Sequence, residues 1–257
     1  VTNNSLLTQC KRIEVELPQD NESIHNFLQP SLLSNIQECH CVFTGKFVAC
    51  VVLLQFLSLP QLKLLHIRMN GTTVPIGDPT DKCTELEKFI ELNSTLQEMN
   101  IIFHVLNKIP STIISLIKGV TRNKAITSLT LNVSNAPALP DRVIGQLLKG
   151  NKTLKALSLN ISDCFLTASS LNIVEVNTPL AALEIGPRPN NKLVTSLLPH
   201  FKKLHCLMLH VPYPPNSIFL SHPSLHTLTL PLDTAESAIE LFTILQTNTT
   251  LKALRVS

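Results

Sequence analysis

Cys39-His40-Cys41 is the densest grouping of reactive side chains in this sequence. Thiols beside an imidazole are the residue types that hold zinc, and a thiol next to an imidazole is also how a cysteine nucleophile is activated. A closed zinc site needs four ligands converging on one point, whereas in an extended segment His40 points to the face opposite both cysteines. Cys50, Cys83, Cys164 and Cys206 stand apart among nine histidines, with no local signature that adds a base and an oxyanion stabiliser. The expectation is no metal, no cofactor and no catalytic residue, with Cys39 and Cys41 packed as small apolar side chains.

Charge is the other chemical resource. Arg12, Glu14, Glu16, Glu38, His40, His66, Arg68 and Glu98 lie in four early segments, beside or between apolar residues that recur at fixed offsets. Their types suit ion pairs and hydrogen bonds to a protein partner. The corresponding middle positions are small or neutral: Ser128, Thr130, Asn132, Ala156, Ser158 and Asn160. The competing reading is a solvated face, because the charged set contains no aromatic residue and binding hot spots favour Trp, Tyr and Arg.

The elements that carry these side chains are read from a repeat. Asn151-Lys-Thr-Leu-Lys-Ala-Leu-Ser-Leu-Asn160 holds an L-x-x-L-x-L pattern in Leu154, Leu157 and Leu159. The same three apolar offsets recur from Cys10, Ile36, Leu62, Leu96, Ile126, Leu154, Leu180, Leu204, Leu225 and Leu251, at spacings of 21 to 34 residues. The last two apolar positions of each unit are two apart, which predicts a short strand with one face buried. Parallel strands need a return connection, and the period shifts to 3.6 between them.

Helices are therefore predicted around Leu86, Phe89, Ile90 and Leu92 after Thr84 as a cap, and around Val143, Ile144, Leu147 and Leu148 after Pro140-Asp141. Leu193, Val194, Leu197 and Leu198, and Ala238, Ile239, Phe242 and Leu245 after Asp233, repeat the pattern. The apolar run Phe47 to Leu59 contains Gln55 and is 13 residues long, short of the roughly 20 that span a bilayer, so it reads as a buried helix. Gly71 to Pro79 is turn-rich and reads as a projecting loop. The prolines between Leu204 and Leu225 leave room for little more than a turn.

The strand-turn-helix unit, with N-x-T-L-x-x-L-x-L at Asn93, Asn151 and Asn248 and looser copies at Asn123 and Asn177, resembles leucine-rich repeats of the ribonuclease-inhibitor type. The same repeats form the sensor half of NACHT-containing immune receptors. The resemblance implies an α/β solenoid of about ten repeats over residues 1–257, curved, with a parallel sheet on the concave face and helices or turns on the convex face. It places Asn or Cys eight residues after each motif start; here those positions are Pro18, Thr44, Asn70, His104, Ser134, Ser162, Arg188, Pro212 and Asp233. Hydroxyls and carboxylates at Thr44, Ser134, Ser162 and Asp233 are expected to bond turn amides in its stead.

A net charge of +3 with 15% charged residues, one Tyr and no Trp points away from nucleic acid. Seven cysteines without a C-x-x-C pair fit a reducing compartment. Sequons at Asn3, Asn21, Asn70, Asn93, Asn132, Asn151, Asn160 and Asn248 raise an extracellular alternative, yet several belong to the repeat itself. The phosphate loop of a nucleotide-binding domain is not in this sequence. The chain opens without Met, almost on a strand, and stops inside one at Val256-Ser257, so flanking repeats or domains are expected at both ends. The functional expectation is a non-catalytic, cytoplasmic protein-interaction module with its partner on the concave face and no membrane contact in this segment. As a resemblance it implies the sensing or autoinhibitory repeats of an immune receptor. The alternatives are a ubiquitin-ligase adaptor and an extracellular receptor.

Overall fold

The computed structural model describes residues 9–17, 33–73, 80–105, 110–134, 141–161, 179–186, 198–210 and 222–256. All ten motifs form strands: β1 (Arg12–Leu17), β2 (Glu38–Phe47), β3 (Leu64–Thr73), β4 (Glu98–Val105), β5 (Ser128–Ser134), β6 (Ala156–Ile161), β7 (Ala182–Ile185), β8 (Cys206–Leu209), β9 (Thr227–Leu230) and β10 (Ala253–Val256). They make one open parallel sheet in strict sequence order. The register follows the motif, pairing Cys39 with Leu65, Leu65 with Met99, Met99 with Leu129 and Leu129 with Leu157. It continues through Leu183, Leu207, Leu228 and Leu254 without a slip. A one-residue slip would put every buried leucine into solvent, so burial itself holds the register.

The core lies on one side of this sheet. Ile36, Leu62, Leu96, Ile126, Leu154, Leu180, Leu204 and Leu225, the first residues of their motifs, are buried with the two apolar residues that follow in most units. The early strands are longer than the three-offset pattern predicts, because a further apolar residue extends the alternation: Leu17, Phe43, Met69, Phe103, Val133 and Ile161 are all buried. Thr44, Asn70, His104 and Ser134 consequently sit side by side within β2 to β5, on the face opposite the core. This corrects the expectation that Thr44 bonds turn amides, since β2 continues past it to Phe47; the residues that follow Ser134 lie outside the described residues. Gly71 to Thr73, expected in a loop, also belong to β3. The rest of that loop, and Ser162, lie outside the described residues.

Helices cover the core side. The run from Phe47 yields α1 (Ala49–Leu57), whose Cys50, Leu53, Phe56 and Leu57 are buried. Phe56 meets Phe43 edge to face with ring centroids 6.4 Å apart, a favourable aromatic geometry. Next come α2 (Thr80–Leu92), α3 (Pro110–Arg122), α4 (Asp141–Gly150), a 3₁₀ turn at Leu198–His200, and α5 (Ala235–Leu245). Val143, Ile144, Leu147 and Leu148 of α4 are all buried, as their spacing predicts. Leu198 is buried in the 3₁₀ turn, while Leu193, Val194, Leu197 and the proline-rich segment after β8 lie outside the described residues.

The expected helix cap at Thr84 needs correction: Thr84 is inside α2, which begins at Thr80. The helix that follows Asp233, α5, is capped by Thr234, its hydroxyl accepting the Ser237 N–H at 3.1 Å. Phe89, Leu92, Ile239 and Phe242 are exposed although they fit the apolar period. Leu86 and Ile90 in α2, and Leu241 in α5, occupy the buried stripe instead. Between α2 and α3 the backbones approach closely: a Cβ on Gly119 would stand 2.8 Å from the Glu87 carbonyl oxygen. Across that contact Arg122 Nε donates to Glu91 at 2.7 Å, and its Nη2 reaches Glu87.

In four of the described units an asparagine three residues before the motif start closes the turn into the strand. Asn123 Oδ1 accepts the N–H groups of Ala125 and Ile126, both at 2.7 Å, and its Nδ2 donates to the carbonyls of Ile90 and Asn93 in the preceding unit. Asn151 does the same with Thr153 and Leu154, and reaches back to Val120. Asn93 and Asn248 close their own turns with the same acceptor geometry. Asn93, Asn151 and Asn248 therefore act as turn staples, and Asn151 is buried at 2% exposure, out of reach of a glycan.

In the ninth unit His222 takes the asparagine's place. It is buried; its Nε2 donates to the Leu198 carbonyl at 3.1 Å and its Nδ1 accepts the Ser224 N–H at 3.4 Å. A neutral imidazole offers one donor and one acceptor, as the amide does. Burial lowers the His222 pKa, the Leu198 and Phe201 carbonyls pull it up, and nearby His205 lowers it further. Since the folded chain resists protonation more than the unfolded chain, stability is full above about pH 6.5 and falls as pH drops through the depressed folded value. The His222→Asn variant should lose this share of the acid dependence. Urea titrations of both proteins across that window measure it, and parallel curves would show that His222 has no such role.

Candidate interaction surface

The face of the sheet opposite the helices carries the eight charged and imidazole side chains singled out from the sequence. Strand pairing sorts them into rows. One row runs Arg12, Glu38, Leu64, Glu98; the next Glu14, His40, His66, Asn100; the third Glu16, Val42, Arg68, Ile102. Seven of the eight thus lie on the adjacent strands β1 to β3, and Glu98 is set apart on β4 behind Leu64. Neighbouring strands are about 4.8 Å apart, so side chains within a row are within reach of one another.

Glu14, Glu16, His40, Val42, His66 and Arg68 line a shallow depression of about 390 Å³. The rings of His40 and His66 are tilted at 5.4 Å between centroids. His66 is held below the usual imidazole pKa, first by burial and then by His40 and Arg68. It stays neutral near pH 7 and presents one donor and one acceptor. Arg12 and Glu38 approach to 3.8 Å at the edge of the depression, both well exposed. Such a pair contributes about 0 to 1 kcal/mol and leaves both groups available to a partner.

Sequence reasoning treated this face as uniformly polar and missed its aliphatic members. Val42, Leu64 and Ile102 are half-buried among the charges. The signal was present, since they occupy the same offsets from their motif starts as Arg68, Glu38 and Glu16. The polar row Thr44, Asn70, His104 and Ser134 continues the face, with His104 Nδ1 and Ser134 Oγ 2.8 Å apart.

Cys39 and Cys41 are buried on the opposite side, as the alternation requires. Burial pushes the Cys39 thiol up to about 12 and the Cys41 thiol higher still, with Cys39 adding to the latter. Burial thus favours the protonated thiol at both positions. Among the described residues, no group of three or more His, Cys, Asp and Glu is placed to hold a metal ion. No described helix is long and apolar enough to cross a membrane.

No family model and no curated protein matches this chain. Among solved structures, Leiomodin-1 Actin-Binding Site 2 aligns with 68% of this chain and 79% of that chain, at 13% identity and a TM-score of 0.33.

Proposed function

We propose that the chain is a non-catalytic protein-interaction module that takes a protein partner on the helix-free face of β1 to β4. The observation that carries this reading is the depression lined by Glu14, Glu16, His40, His66 and Arg68, where both charge signs and a neutral imidazole meet half-buried aliphatics. Mixed charge around a small apolar floor favours a complementary protein surface over a polymer of one sign. The N-x-T-L repeat supports the narrower reading: the sensing or autoinhibitory repeats of an intracellular receptor of the NACHT class, with further repeats or domains flanking this segment.

Reversing Arg12, Glu38 and Arg68 together (Arg12→Glu, Glu38→Arg, Arg68→Glu) tests the surface. None of the three is buried, so thermal unfolding should stay within a few degrees of wild type. Affinity for a partner captured by the wild-type protein should fall at least tenfold, an effect of about 1.4 kcal/mol or more. Undiminished capture by a folded triple variant would rule out this face.

A further inference from the structure

We propose that the rim formed by the turns leading into the strands is a docking face for an anionic lipid bilayer. Each turn spans the five residues from three before to one after the first apolar motif position. Over ten units these turns contain eight lysines and neither Arg, Asp nor Glu. Lys124, Lys152, Lys155, Lys202, Lys203 and Lys252, which gather toward the C-terminal half, are all exposed. These lysines are far apart in the chain. The solenoid brings them to one edge.

That edge is level. The residue after each motif start donates its N–H to the carbonyl of its counterpart one unit back, in an unbroken series from Gln37 onto Lys11 to Lys252 onto His226, at 2.7 to 2.9 Å. With a strand spacing of about 4.8 Å, the turns of β5 to β10 cover about 24 Å in a line. Exposed Asp81, Asp233 and Glu236 lie at the opposite rim, at the helix N-termini. His205 and His226 stack on the basic rim with centroids 5.1 Å apart. His226 is lowered by burial, then by Lys252 and His205, in keeping with a positive potential there.

Helix dipoles account for only part of this. Lys124 and Lys152 follow the ends of α3 and α4, where a cation is favoured. Lys202 and Lys203 follow a three-residue 3₁₀ turn, and Lys252 lies seven residues beyond α5, outside the reach of a helix terminus. The choice of lysine indicates the ligand. Specific forked recognition of carboxylate or phosphate selects Arg, and single-stranded nucleic acid is gripped by stacking aromatics; the turns contain no Arg, Trp or Tyr. Attraction to an anionic membrane needs only point charges on a level surface. The proposal runs against the sequence expectation of no membrane contact in this segment, which rested on apolar length and not on the placement of charge.

Co-sedimentation of the full chain with phosphatidylcholine vesicles, with and without phosphatidylserine, tests the proposal. Binding is expected only with phosphatidylserine and should weaken as salt is raised. The Lys124→Glu, Lys155→Glu, Lys202→Glu, Lys203→Glu variant should lose about 100-fold or more, and the corresponding Gln variant, which adds no new charge, somewhat less. Arg12→Glu with Arg68→Glu, on the other face, should bind vesicles as wild type does. The proposal is overturned if the wild-type chain ignores phosphatidylserine, or if a folded Gln variant still sediments fully. It is equally overturned if duplex DNA or a polyglutamate peptide binds the same lysines more tightly than vesicles do.

Discussion

Replacing Gly71 with alanine is expected to destabilise the protein by about 3 kcal/mol, read as a lowered urea midpoint at unchanged slope. Gly71 has φ +150° and lies directly opposite Gly45, which has φ +123°, on the paired strands β2 and β3. Side chains other than hydrogen are strained in this region of backbone space, at about 1 to 3 kcal/mol. A Cβ would also stand 2.1 Å from the Gly45 carbonyl oxygen, a backbone atom held by both strands. The two strands must separate locally. A variant within about 0.5 kcal/mol of wild type would mean that the glycine pair is dispensable.

The Asn123→Ala variant should cost a similar amount, about 3 to 4 kcal/mol, by a different route. It removes four hydrogen bonds at 2% exposure, leaving the Ala125 and Ile126 amides and the Ile90 and Asn93 carbonyls without their side-chain partner. Each buried group so orphaned costs about 1 to 3 kcal/mol, moderated where the chain can relax or water can enter. The Asn248→Ala variant provides the internal scale. Asn248 closes the same kind of turn but is half-buried near the end of the sheet, so it should cost about 1 kcal/mol. Equal losses in chemical denaturation would contradict the dependence on burial.

The strands were legible in the sequence because three apolar offsets recurring in one register describe a face that must be buried. Strand length was not read from those offsets, although Phe43, Met69, Phe103 and Val133 carried the information one position further on. Missing that fourth apolar residue turned Thr44 into a supposed turn ligand, when the strand runs on to Phe47. The helix faces were harder to read. Phe89, Ile239 and Phe242 satisfy the period as well as Leu86 and Leu241 do, and only the position of the neighbouring helix decides which are covered.

The interaction surface divides the same way. Alternation was sufficient to put His40 outside and Cys39 and Cys41 inside. It could also place Arg12, Glu14, Glu38, His66 and Arg68 on one face. It could not show that Glu98 stands apart from them behind Leu64, since that depends on which rows the three-strand depression includes. The lysine rim was hidden for a different reason: its members are separated by whole repeats, so no local window of sequence contains more than two or three.

Strand length falls along the sheet, from ten residues in β2 and β3 through eight, seven and six to four in each of β7 to β10. In a chain whose units touch only their neighbours, each interface is a separate link with its own strength. The first half is laced by up to ten paired residues per link and the second half by three or four. Such a molecule has a direction built into its mechanics. Under mild denaturant the four links between β6 and β10 are expected to open before the ten-residue link between β2 and β3, so the part of the face bearing His40 and Arg68 should keep its shape longest.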